Sequence, residues 1–269
     1  MSNRIDQAFD QLHREGRKGL LPYVTAGYPD MASTAELLRA CDRLGVAAVE
    51  LGIPYSDSIA DGPVIQTSFT RVLAKGFKLN DVFEMMGGVR GEISIPVLAM
   101  VSFSIVYRVG VERFVDRAAQ AGFDGLIIPD LSLEEAPDVS RIVQQAGLRL
   151  VMLVAPTSPP DRRERIAGLS SGFVYYLSVA GITGERQSLP VDLAENVERL
   201  RAASGKPIAV GFGISRPDHV RQVCTVADGA IVGSAIVRRI TQAIDRGKPS
   251  GQIVNEVSDF IKELMTGVR

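Results

Sequence analysis

The sequence contains no tryptophan, two cysteines and two histidines in 269 residues. Cys41 and Cys224 lie far apart, form no CxxC pair and have no nearby histidines, which argues against a disulfide framework and a thiolate zinc site. A reducing cytoplasm fits that usage best. His13 lies on an N-terminal helical pattern and His219 in the first turns of a late one, so neither stands at the end of an apolar strand run. Both are expected on the surface, and metal-dependent chemistry is disfavoured. Lysine is scarce as well: Lys18, Lys75, Lys78, Lys206, Lys248 and Lys262 precede strands or lie on helices and turns. None is placed for a Schiff base. No GxGxxG or GxxxxGK[ST] opens a helix after a strand, so a nucleotide cofactor has no fingerprint here. Thirty Lys+Arg against 31 Asp+Glu give a net charge of −1, which offers no basic field to nucleic acid or an anionic membrane. The longest uncharged stretch, Ile166 to Gly184, holds four glycines and three serines and reads as strand plus loop, not a membrane span. The N-terminus mixes charge with amphipathic spacing and lacks the apolar core of a secretory signal.

What is present is ordinary for a globular protein: 46% hydrophobic and 23% charged residues. Eight short apolar runs recur along the chain, at Leu20–Thr25, Val46–Leu51, Ile95–Phe103, Gly125–Ile128, Leu148–Ala155, Phe173–Ser178, Ile208–Gly213 and Gly229–Gly233. They are nearly continuous in Val, Ile, Leu and Ala, as expected of strands buried on both faces of a parallel sheet. Between them Met31–Leu44, Val111–Ala121, Leu133–Ala146, Val191–Ala203 and Arg216–Val226 space apolar residues three and four apart, the pattern of amphipathic helices. Eight strands alternating with helices predict an α/β fold, a (β/α)8 TIM barrel with an extra N-terminal helix. No linker, low-complexity tract or repeat divides the chain, so residues 1–269 are expected to form one domain. Residues 53–63 and 179–191 exceed what barrel closure needs, and long βα loops gather at the catalytic face.

Catalysis, if this chain performs any, must therefore rest on carboxylates, hydroxyls and backbone amides. Glu50 ends the second apolar run with apolar neighbours on both sides, and lost hydration raises a carboxyl pKa into the range useful for proton transfer. The alternative is a strand-end glutamate satisfied by a salt bridge or helix terminus. Asp57 and Asp61 follow on the next loop and read either as functional carboxylates or as caps for turns and for the helix near Val64. Gly211-Phe-Gly-Ile-Ser215 and Gly233-Ser234 follow the seventh and eighth runs, where this fold frequently binds phosphate on loop amides and a helix N-terminus. Tight turns are the alternative there. Gly181 to Ser188 is polar and reads as a closing lid or an ordinary surface loop.

Six segments, in order along the chain, carry a resemblance to a known family. They are Leu21-Pro-Tyr-Val-Thr-Ala-Gly-Tyr-Pro-Asp30, Glu50-Leu-Gly-Ile-Pro-Tyr-Ser-Asp-Ser-Ile-Ala-Asp-Gly-Pro-Val-Ile-Gln66, Pro129-Asp-Leu131, Ala155-Pro-Thr157, Gly172-Phe-Val-Tyr175 with Gly181-Ile-Thr-Gly184, and Val210-Gly-Phe-Gly-Ile-Ser215. The sequence resembles the tryptophan synthase alpha subunit family. That resemblance implies a barrel lyase of tryptophan biosynthesis that splits indole-3-glycerol phosphate into indole and glyceraldehyde 3-phosphate without a cofactor or metal. It further implies a partner, a pyridoxal-phosphate beta subunit that receives the indole in an alpha2-beta2 complex.

The resemblance carries the general acid/base role to Glu50 and stabilisation of the indole nitrogen to Asp61. It places Tyr175 near Glu50, lets Thr183 close on Asp61, and gives the phosphate to Gly184, Gly213, Gly233 and Ser234. Ser58 stands where the family usually has Pro, Ser104-Ile105 where it has Asn-Pro, and Val179 where it often has Arg. The first two fall on segments expected to face the beta subunit. A stand-alone indole-releasing lyase, a mainly partner-activating subunit and a sugar-phosphate isomerase of the same fold remain the alternatives.

Overall fold

The computed structural model describes residues 3–58, 61–177, 192–211 and 213–268. In chain order the elements are α1 (Arg4–Arg14), β1 (Gly19–Thr25), α2 (Met31–Leu44), β2 (Val49–Gly52), α3 (Pro63–Leu73), α4 (Leu79–Arg90), β3 (Val97–Met100), α5 (Phe103–Val109), α6 (Val111–Gln120) and β4 (Gly125–Ile127). The second half continues with α7 (Ala136–Gln145), β5 (Arg149–Val154), α8 (Pro160–Leu169), β6 (Val174–Leu177), α9 (Leu193–Ser204), β7 (Ile208–Gly211), α10 (Pro217–Cys224), β8 (Gly229–Val232), α11 (Ser234–Asp245) and α12 (Ser250–Met265). The eight strands are parallel, each pairs with the next in sequence, and β8 pairs with β1 to close the ring. Extending the register once around from Tyr23 leads back to Glu15, a stagger of eight residues. Eight strands with that shear define a TIM barrel.

The apolar runs are continuous because every strand is covered twice. Inward residues Leu21, Leu98, Ile127, Phe173 and Ile231 fill the barrel, and Ile5 and Phe9 of α1 plug its N-terminal end, with the Phe9 and Phe173 rings 5.2 Å apart. Residues of opposite parity, such as Leu20, Val24, Leu51 and Val97, pack outward against the helices. Two aspartates tie the N-terminal rim on opposite sides of the ring. Asp124, just before β4, accepts from the Val97 amide at 2.9 Å and from Arg90 and Arg4 at 3.1 and 3.0 Å. Asp228, just before β8, accepts from the Ile208 amide at 2.9 Å and from Lys18 and Arg201 at 3.0 Å.

All eight apolar runs contain strands, most of them trimmed at an end, while β1 starts one residue earlier and β2 runs one residue further than its run. The third stops at Met100 because Ser102 turns the chain into α5, its hydroxyl accepting from the Ser104 amide while Asp130 accepts from the Phe103 amide. The helix expected from Leu133 begins at Ala136, since the Ser132 and Glu135 side chains fold the intervening residues into a turn. His219 is a correction: it is 3% exposed, because α12 packs over α10 and the Arg216 guanidinium lies 2.9 Å from its Nε2. His13 is exposed. Burial pushes the thiols up, Cys41 to about 12 and Cys224 to about 11, so neither is a ready nucleophile. Among the described residues, no helix is long and apolar enough to cross a membrane.

Candidate active site

Strand β2 carries Glu50 and Gly52 on its inward face, beside Tyr23 of β1, which pairs with Glu50 in register. Glu50 is 0% exposed, and neither carboxyl oxygen has a hydrogen-bond partner among the described residues. Burial alone therefore drives its pKa well above the ordinary carboxylate range. Among the described residues no cation or helix terminus satisfies this carboxyl, and burial favours its protonated form at the upper floor of the barrel.

Asp61 follows on the loop between β2 and α3. The Ser58 carbonyl accepts from the Asp61 amide at 3.2 Å and from Gln66 Nε2 at 2.9 Å, which holds that loop against the start of α3. Helix α3 starts from Gly62 with Pro63 in its first turn and no side-chain cap, so Asp61 is not spent as a helix cap. Its pKa is pushed up to about 6, first by burial and then by the charge of Asp130. Asp130 is fixed by Ser102 Oγ and the Phe103 amide, both at 2.7 Å. Asp57 is exposed and accepts from Ser56 Oγ. A cleft of about 410 Å³, counted to its open mouth, lies above this loop, with Asp61, Ile53, Tyr55, Phe69, Met100 and Pro129 among its walls. Its apolar walls, with half-buried Asp61 and exposed Asp57 and Asp130, suit a flat aromatic ring carrying an N–H.

Tyr175 of β6 completes the group. It is buried, and the charges of Glu50 and Asp61 add to burial in raising its pKa well above the usual phenol value. Glu50, Asp61 and Tyr175 are thus brought together. Across the mouth, Gly213 follows β7 with φ of +23°, a conformation that favours glycine, and Gly233 leads into α11, whose first residue is Ser234. No side chain caps α11, so its first amides are open to an anion. Thr183, Gly184 and Val179 lie outside the described residues.

Tyr23 escaped the sequence reading. Its ring crosses the barrel from Gly233 to Gly52, where a Cβ on Gly52 would come within 1.9 Å of the phenol oxygen. Tyr175 repeats the arrangement: it pairs with Ala209 and leans on Gly211 two residues further along β7. The signal was available in β1, because Tyr23 stands two residues after inward Leu21 and must share its face.

The profile of the tryptophan synthase alpha chain family matches residues 9–266. The tryptophan synthase alpha chain of Rhodopirellula baltica is 45% identical, covering 98% of both chains, and that of a Synechococcus strain is 48% identical, covering 98% of this chain and 96% of its own. Among solved structures, tryptophan synthase of Mycobacterium tuberculosis superposes with a TM-score of 0.89 at 32% identity over 100% of this chain and 99% of that one. The alpha chain of Legionella pneumophila gives 0.86 at 34% identity, again covering 100% and 99%. The family profile, the identity of the relatives and their near-complete coverage agree: this chain belongs to the tryptophan synthase alpha chain family.

Proposed function

We propose that Glu50 and Asp61 carry out the family's alpha reaction, cleavage of indole-3-glycerol phosphate to indole and glyceraldehyde 3-phosphate. The observation that carries these roles is a fully buried Glu50, unpartnered among the described residues, that shares the Tyr175 phenol as a neighbour with Asp61. Kept protonated by burial, Glu50 donates its proton to indole C3. Positive charge then develops at the ring nitrogen, and the Asp61 carboxylate stabilises it inside the apolar cleft. The bond from C3 to the side chain breaks, its electron pair restores the aromatic ring, and the side-chain hydroxyl becomes the aldehyde. Glu50, now a carboxylate, takes that hydroxyl proton and is ready for another cycle. One proton enters the ring and one leaves the hydroxyl, so a single carboxyl serves both transfers.

The phosphate is assigned to Gly213, Gly233 and Ser234 with Gly184, a placement supported by the uncapped α11 and by loop order in this fold. The partner is the beta subunit of the same enzyme, in an alpha2-beta2 assembly, with the rim at Asp57, Ser58 and Ser104 facing it. The deciding experiment is indole release by the purified chain, alone and with a beta subunit, beside Glu50→Gln. Slow turnover that rises with the partner and vanishes in the variant is the expected result. Wild-type turnover in Glu50→Gln would overturn the assignment, and fast turnover without a partner would mark a stand-alone lyase.

A further inference from the structure

Three buried oxygen atoms lie at the upper floor of the barrel without a well-formed hydrogen bond among the described residues: both carboxyl oxygens of Glu50 and the phenol oxygen of Tyr23, whose polar neighbour Thr25 has its hydroxyl paired with Ser68 Oγ at 2.8 Å. The mechanism uses Glu50 and leaves Tyr23 unexplained. A phenol buried without a partner is destabilising, and a phenylalanine would fill the same space at no such cost. The backbone is nevertheless shaped around this hydroxyl. Gly52 leaves open the volume in which it stands, since any side chain there would collide with the ring end at 1.9–2.6 Å. Gly233 accepts the root of the same ring at 3.4 Å.

Tyr23 therefore spans two parts of the proposed site. Its root adjoins the glycine that leads into the phosphate helix, and its hydroxyl stands over Gly52, two residues beyond Glu50 on the same face of β2. A substrate whose phosphate sits at Gly233-Ser234 and whose scissile bond sits at Glu50 must lay its connecting carbons along this ring. We infer that the Tyr23 hydroxyl hydrogen-bonds a hydroxyl of the substrate's glycerol chain and holds the scissile bond over Glu50. This rests on the proposed lyase reading and extends it to the polar part of the substrate. Tyr23 is the contact that tells a hydroxylated side chain from a bare aromatic ring, because an apolar occupant would leave the phenol unpaired.

The test is Tyr23→Phe, read in three ways. In the Glu50→Gln background, where substrate is not consumed, affinity for indole-3-glycerol phosphate should fall about tenfold on adding Tyr23→Phe, the range of one buried hydrogen bond. Affinity for indole alone should not change; both are followed by ligand fluorescence against a chain without tryptophan. On the wild-type background the substitution should lower kcat/KM while raising the melting temperature of the ligand-free protein by about 2–4 °C, since the orphan hydroxyl is gone. A purely structural Tyr23 predicts the thermal gain with unchanged substrate affinity, and that result overturns the inference. An equal loss for substrate and indole overturns it too. If wild-type protein releases no indole from the substrate, the lyase reading fails and the inference fails with it, a result distinct from Tyr23→Phe matching an active wild type.

Discussion

Glu50 is a carboxyl that the fold keeps dry. With no cation and no donor among the described residues to compensate burial, the folded protein holds a proton that the unfolded chain releases above the ordinary carboxyl range. The folded state thus binds more protons than the unfolded state from about pH 4.5 upward, and stability falls as pH rises from there toward the raised folded pKa. Glu50→Gln removes that dependence. Its melting temperature should match the wild type near pH 4 and exceed it increasingly toward neutral pH, while indole release drops by about 10²–10⁴-fold. Thermal melts across pH beside a turnover assay check both halves, and a variant less stable at every pH would contradict the desolvation account. Asp61 behaves oppositely in function, because it must be ionised to face a developing positive charge. With its pKa at about 6, kcat/KM should fall as pH drops through 6, and Asp61→Asn should be slow and flat over the same range. The apolar neighbours of Glu50 are legible in the sequence, but the absence of a partner is not, since any of the chain's cations might have reached it.

The groups proposed for the chemistry sit on or just beyond short strands: Glu50 is the second residue of β2, Asp61 precedes α3, and Ser234 opens α11. Apolar continuity located the strands well because both faces are buried, whereas helix ends depended on contacts between distant residues. Asp130, 27 positions away, caps the turn at Phe103, which no local pattern could reveal. Helices α4 and α8 were missed for local reasons: Gly87 and Gly88 interrupt one, and charged Asp161 to Arg165 blur the apolar stripe of the other. The glycines after β7 and β8 and the start of α11 are readable because glycine placement and helix start are both local signals. If α11 holds the phosphate, Ser234→Ala removes a hydroxyl remote from the scissile bond. The expected outcome is a KM for indole-3-glycerol phosphate raised about five- to tenfold with kcat nearly unchanged, and inhibition by inorganic phosphate weakened in parallel. A loss confined to kcat would move the phosphate elsewhere.

At the scale of the whole barrel, chemistry and stability occupy opposite ends, a division the sequence implied through strand count and loop lengths alone. What it did not disclose is how the closed end is locked, because Arg4, Arg90 and Asp124 are spread over 120 positions and meet only after the ring has formed. Asp124 is buried, and the Arg90 side chain beside it is only 12% exposed, so the pair is a shielded charge with the Val97 amide as its third contact. Removing Asp124 leaves Arg90 held by the backbone carbonyls of Ile93, Ile95 and Gly122 but without its counter-ion, and breaking a shielded pair in this way costs about 3–5 kcal/mol. Asp124→Ala should therefore lower the melting temperature by about 10 °C, given ~2–4 °C per kcal/mol for a chain of this length. Adding Arg90→Met removes the uncompensated charge but also the donor to those carbonyls, so it should restore only part of that loss. Because the rim lies at the far end from Glu50, kcat/KM measured well below the melting transition should be that of the wild type in both variants. A fall in kcat/KM that tracks the thermal loss would mean that strain at the closed end reaches the carboxylates and that the two ends of this barrel are not separable.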